Sequence, residues 1–243
     1  MDIQEGISYR MINQKDPYGS LTQLEVFFAN NRRPVDFSKI VSPQTRVLVV
    51  GEKHTRELGK STIIQHMGVF RELGFTHFGM EMLDGSRQVQ LEQALLDNDI
   101  SSILLCLHGY TTFSPNAAQL YIQLANTAFK TGMCVIAMHP KYRNQTEQDF
   151  TTYNEMMNQN MSRRIIKILR EKPYNRMVVF TGNAHAAREG RTMTQLLVNR
   201  GVDLVSAGMV GGRRNKQQLN MEKAARRIHA EEELFMVVRV HGL

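Results

Sequence analysis

Residues 46–54 read RVLVVGEKH. Arg46–Val50 is a short, β-branched run whose length and flank read as a buried strand. Gly51 closes the run, and Glu52 and His54 come directly after it. A glycine at that point frees the chain to turn off a sheet, with positive φ where a sharp turn needs it. Over Arg56–Leu73, Leu58, Ile63, Met67, Phe70 and Leu73 recur at helical spacing, and Gly74 supplies a stop. A buried strand leading into a helix is half of a βαβ unit.

The unit recurs along the chain. Further strands are predicted over His77–Met82, Met133–Met138, Arg176–Thr181, Val202–Ala207 and Leu234–Val240. Helices are predicted over Ser86–Leu96, Ala117–Lys130, Thr146–Lys172, Arg188–Arg200 and Leu219–Glu232, while Ile100–Leu107 fits either state. Such alternation implies an α/β fold: a single domain with a mostly parallel central sheet flanked by helices on both faces. Residues 1–44 are polar and irregular, with one helix over Leu21–Asn31, and read as an N-terminal extension to a domain covering residues 45–243.

Composition excludes several classes. With 243 residues, 42% hydrophobic and 22% charged, the chain is neither disordered nor fibrous. Two cysteines cannot build a disulfide framework. Cys106 and Cys134 sit in apolar runs and read as buried free thiols. No apolar run reaches the length of a transmembrane helix, and the first residues lack the pattern of a signal peptide. The net charge is +7, and its distribution is uneven: Arg163–Arg227 holds 15 Lys or Arg against 4 Asp or Glu, so the remainder is net acidic. That zone suits an anionic substrate or partner, or is a solvated helical surface with spare charge. Tyr174 and Phe180 are its only aromatics, which argues against nucleic acid by denying it stacking platforms.

Ligands of open α/β sheets bind beyond the carboxyl ends of the strands. There the sequence delivers Glu52 and His54 after the first strand, Glu81 at the end of the second, His139 after the third, and Gly182-Asn183-Ala184-His185 after the fourth. Two carboxylates with three imidazoles suit general acid–base catalysis or metal ligation. The spacing G-x-x-H occurs three times, where composition yields roughly 0.6 by chance. Gly51–His54 and Gly182–His185 both close strands, whereas Gly74–His77 precedes one. Other readings stay open: His54 and His185 as caps or turn residues, Glu52 as complement to a helix terminus, and His139, before Pro140, as a loop residue. An ionised Glu81 behind an apolar strand needs a partner.

GEKHT after one strand, Met80-Glu81 at the next, Asn158-x-x-Met161 on a long helix and FTGNAHA after a later strand together resemble the erythromycin esterase/ChaN-like/Tiki superfamily. The resemblance spans about residues 45–208. It implies a shared α/β fold, a site built from Glu52, His54, Glu81 and His185, and an association with type III effectors and toxin domains. Relatives often carry Arg just before the Asn of the long-helix motif; this chain has Met157 there, with Arg163 and Arg164 about a turn onward.

The expected function is a hydrolase. His54 would act as general base oriented by Glu52 or Glu81, and His185 as the group that polarises the substrate or protonates the leaving group. His139 and Asn158 are secondary candidates. Were a divalent metal bound, His54, Glu81 and His185 would supply a two-His, one-carboxylate set. The alternative is a haem- or metal-binding protein of the ChaN kind without hydrolytic activity, using a histidine or Tyr110, Tyr142 or Tyr153 axially. Expected partners are a small-molecule or anionic substrate or a host target protein. A polar N-terminal stretch with Ser8 and Ser20 is compatible with secretion into a host cell by a type III system, and otherwise the chain would be soluble in the bacterial cytoplasm.

Overall fold

The buried runs become neighbours in one sheet. The computed structural model describes residues 36–52, 54, 57–109, 114–140, 150–187, 190–209 and 235–240. In chain order these form α1 (Phe37–Ile40), β1 (Val47–Glu52), α2 (Leu58–Glu72), β2 (His77–Asp84), a 3-10 turn (Gly85–Arg87), α3 (Gln88–Leu96), α4 (Ile100–Leu105), α5 (Pro115–Lys130), β3 (Cys134–His139), α6 (Phe150–Glu171), β4 (Met177–Gly182), α7 (Asn183–Ala186), α8 (Met193–Val198), β5 (Leu204–Met209) and β6 (Phe235–Val240). The strand order is β3-β2-β4-β1-β5-β6. The first five strands run parallel, and β6 joins the edge antiparallel to β5.

Alternation along each strand divides the core in two. Leu48, Val50, Phe78, Met80, Val178 and Phe180 face α2 and α5. Val47, Val49, Met177 and Val179 face Met157, Met161 and Ile165 of α6 and Met193 and Leu197 of α8. Both faces are therefore covered, which is why these strands lack the polar alternation of a one-sided sheet. Phe37 of α1 is fully buried and meets Phe70 edge-on, so the packed unit begins before residue 45.

The structure departs from, or completes, the sequence-based expectations at three places. Of the helix expected over Arg188–Arg200, the described residues form α8 (Met193–Val198), and α7 (Asn183–Ala186) is a separate turn before it. Gly190 lies between them at φ 83°, and Thr192 starts α8 afresh by accepting a bond from the Gln195 amide. Cys134 is exposed, unlike Cys106, because it opens β3 on the sheet's edge. The segment Ile100–Leu107 is helical over Ile100–Leu105, with Asp99 capping the amides of Ser101 and Ser102, and Leu107 forms an isolated bridge with Leu83. The helices expected at Leu21–Asn31 and Leu219–Glu232 lie outside the described residues, as do Tyr110 and Tyr142. No helix among the described residues is long and apolar enough to cross a membrane.

Candidate active site

At the carboxyl ends of β1, β4 and β2, three adjacent strands, the expected residues come together. Glu81 and Glu52 are both buried, a costly placement for carboxylates without partners. Glu81 Oε2 accepts from the Thr181 hydroxyl and the Gly182 amide, each at 2.6 Å. Its Oε1 lies 3.2 Å from His185 Nε2 and 3.9 Å from His54 Nε2. Burial alone would raise the Glu81 pKa; the charge of His185, its hydrogen bond, His54 and Thr181 reverse that and hold the carboxyl far below its ordinary range.

Glu52 is the centre of a second network. Its Oε1 accepts from the Tyr121 hydroxyl and from His54 Nδ1, the latter at 3.0 Å. Its Oε2 accepts from Lys60 Nζ at 2.7 Å. Lys60 is itself fully buried, reaches the main-chain carbonyl of His54 at 3.0 Å, and lies 4.5 Å over the Tyr121 ring. The sequence motifs do not include Lys60 and Tyr121. Their signal was their position on otherwise apolar helical stripes: Lys60 with Ile63, Met67 and Phe70, and Tyr121 with Ala117, Leu124 and Ala128.

The two histidines differ in exposure and in proton inventory. His54 has a third of its side chain in solvent and donates through Nδ1 to Glu52, leaving Nε2 beyond hydrogen-bond distance of Glu81. Burial disfavours its charged form, but the Glu52 bond and the nearby Glu81 and Glu52 charges more than offset this and raise its pKa. His185 is buried, with Nδ1 2.7 Å from Asn158 Oδ1. Asn158 donates its amide to the Arg191 carbonyl and accepts from the Met193 amide, which fixes Oδ1 as the group facing the ring. Oxygen acceptors thus face both nitrogens of His185, an arrangement satisfied when the ring carries both protons beside an ionised Glu81.

The glycines of the two G-x-x-H runs serve close approach. Neither adopts a positive φ, contrary to the expectation of a sharp turn; Gly182 sits at φ −62°. A Cβ on Gly182 would lie 2.9 Å from His54 Nε2, and one on Gly51 would lie 2.5 Å from Asn183 Oδ1 and 2.7 Å from Ala186 Cβ. Each motif makes room for the other's histidine or for the turn that carries it.

His139 ends β3 but stands apart from these bonds. It is buried, stacked on His108 at 3.4 Å between centroids, and 3.0 Å from the Tyr153 hydroxyl through Nε2. Burial first, then the neighbouring His108, pushes its pKa down to about 4. Arg164 bonds Gln88, 3.0 Å away, and Arg163 is exposed, so neither stands in at the Glu81 cluster for the arginine that Met157 replaces.

The proposed metal set does not fit an ion. Among the described residues no group of three or more His, Cys, Asp or Glu side chains is placed to hold one. Glu81 spends one oxygen on Thr181 and Gly182 and turns the other to the imidazoles. The chemistry that the arrangement can perform without a metal is proton transfer between His54, His185 and a molecule above Glu81.

No family model matches the chain, and no curated protein matches it. Solved structures do. The type III effector HopBA1 is 15% identical with a TM-score of 0.50, over 58% of this chain and 67% of its own. A structure described as bacterial protein toxins is 15% identical with a TM-score of 0.53, over 95% of this chain and 45% of its own. RRSP, a MARTX toxin effector domain from Vibrio vulnificus CMCP6, is 16% identical with a TM-score of 0.52, over 97% of this chain and 42% of its own. The chain spans less than half the length of the last two. At these identities the likeness is one of fold: this sheet with its flanking helices is an architecture also found in bacterial effectors and toxins.

Proposed function

We propose that the chain is a hydrolase whose catalytic groups are His54, Glu52, Glu81 and His185, with Asn158 positioning His185. The observation that carries this reading is the pair of unlike imidazoles facing a single buried carboxylate oxygen, Glu81 Oε1. His54, oriented by Glu52 through Nδ1, takes a proton from water at Nε2. The hydroxide adds to the carbonyl or phosphoryl centre of the substrate, and His185 passes its Nε2 proton to the leaving group. Glu81 stabilises the charge on both rings during the exchange. His139, neutral and stacked on His108, borders this centre without entering the exchange.

The substrate is an ester, amide or phosphate-bearing molecule, or a host protein, and the activity is that of an effector delivered to a host cell. The effector and toxin neighbours and the resemblance of the G-x-x-H motifs support this assignment. The test is turnover of p-nitrophenyl esters, peptide amides and p-nitrophenyl phosphate by the wild type, His54→Ala and His185→Ala, with melting curves run alongside. Turnover of at least one class, lost in both folded variants, is the expected result. No turnover of any class, or full turnover by both variants, rejects the reading.

A further inference from the structure

The basic zone found in the sequence has a counterpart in the fold that the Glu81 cluster leaves unused. Arg163, Lys167 and Arg170 lie on successive turns of one face of α6 and, with Ile166, Glu171 and Arg200 just beyond α8, line an open cleft of about 630 Å³. Helix α6 returns from the end of β3 to the start of β4, and Asn158 marks its catalytic end. The cleft residues on α6 begin about 7.5 Å and end about 19.5 Å further along, at 1.5 Å rise per residue, towards the amino ends of the strands. The cleft is therefore separate from the proposed catalytic centre.

Its charge is unbalanced. Four cations face one carboxylate, and none of the four has an ion pair among the described residues. Nearer the catalytic end a charge on the same helix is balanced: Glu155 pairs with Arg191, just before α8, at 3.0 Å. Like charges one turn apart destabilise a helix, so the spacing 163, 167, 170 carries a penalty that a counter-ion would remove. Three of the four cations are arginines, whose planar forks bind tetrahedral oxyanions through two parallel bonds. The net excess calls for a ligand with two or more negative charges, which a phosphorylated molecule supplies and a lone carboxylate does not. The volume matches a small-molecule site.

We infer that the α6–α8 cleft is a binding site for a phosphate-bearing ligand, held by Arg163, Lys167, Arg170 and Arg200. Two sources carry that chemistry: a soluble polyphosphorylated molecule and the headgroup of an anionic phospholipid.

The experiment uses the full chain and two probes. Calorimetric titration with sodium tripolyphosphate tests the soluble source. Co-flotation with phosphatidylcholine vesicles, with and without phosphatidic acid, tests the headgroup. The double variant Arg163→Gln/Arg170→Gln changes only exposed side chains, and its melting curve reports its fold; Lys167→Glu is the second variant. Saturable tripolyphosphate binding, weakened about tenfold or more by either variant through loss of charged hydrogen bonds, is expected, and His54→Ala binds as the wild type does. Flotation that needs phosphatidic acid and disappears in the same variants assigns the site to the headgroup. Binding of neither probe, binding unchanged in the variants, or binding lost in His54→Ala would overturn the inference. Because His54→Ala is expected to bind normally, this result is independent of whether the chain proves to be a hydrolase.

Discussion

Glu81 and His54 carry opposite pH dependences, and their contacts set the signs. Glu81 is held far below its ordinary value of 4.5, so its contribution to stability is complete above that pH and is lost as pH falls towards the depressed value. His54 is raised above 6.5, so its contribution is complete below that pH and is lost as pH rises through the raised value. Thermal stability should therefore be greatest between about pH 4.5 and 6.5 as far as this pair is concerned. In Glu81→Gln the amide oxygen can still accept from Thr181 and Gly182, so the fold is kept, but the charge beside His54 is gone. We expect the His54 pKa, tracked by NMR of its ring protons, to fall in this variant, and the acid limb of the stability curve to flatten. A His54 pKa that stays where it was would show that Glu81 does not act on it. In catalysis the same shift means that His54 becomes a base only above its raised pKa, so the acid limb of any pH–rate profile lies above 6.5 and moves down in Glu81→Gln.

At the scale of the element, the two strand-ending glycines are expected to fail differently. A Cβ on Gly182 meets the ring of His54, a side chain a third exposed that is able to swing aside, and the backbone there suits alanine. Gly182→Ala should therefore melt within about 1 kcal/mol of wild type yet lose about a hundredfold in turnover from the displaced base. A Cβ on Gly51 instead meets Ala186 Cβ and the Asn183 backbone, so α7 itself must shift. Gly51→Ala should cost about 1–3 kcal/mol as overpacking and move His185 too. Equal stability losses in the two variants would contradict this division. The same elements mark how far the sequence could be read. The apolar runs at 47–50 and 177–180 revealed the parallel strands. The residues just past each run revealed Glu52, His54 and His185, since a strand's end lies next to its motif in the chain. Lys60 and Tyr121 were not legible in this way. Their roles depend on two helices packing on the same face of β1, a long-range consequence that helical periodicity registers only as an imperfect stripe. The helix expected from Arg188 starts only at Met193, because Gly190 at positive φ and the Thr192 cap interrupt the stretch before it.

For the whole molecule, chemistry and cohesion sit at opposite ends of the sheet. The carboxyl ends hold the buried charges, while the amino ends are tied by arginines to main-chain carbonyls. Arg176, at the start of β4, donates to the carbonyls of Thr45 at 2.7 Å, Ser42 at 3.0 Å and Leu73, and its guanidinium lies 4.7 Å over the Phe75 ring. Arg46, at the start of β1, donates to Asn175 and Leu169. One side chain, that of Arg176, thereby joins the segment before β1, the end of α2 and the central strand β4. Removing it takes this donor from the carbonyls of Thr45 and Leu73, while that of Ser42 keeps the Thr45 amide, and hydrogen bonds to a charged group contribute about 1.5–3 kcal/mol each. Water reaches some of those carbonyls once the side chain is gone, so the loss in Arg176→Ala should be nearer 3 kcal/mol in total than the sum of its bonds. Arg176→Lys, with one compact donor in place of a fork, should recover only part of it. Urea unfolding measures both. Because the site lies a strand's length away, the His54 ring resonances should be unmoved in either variant below the unfolding transition. A loss below about 0.5 kcal/mol would reduce Arg176 to an ordinary surface residue, and a shifted His54 signal would show that the two ends of the sheet are coupled.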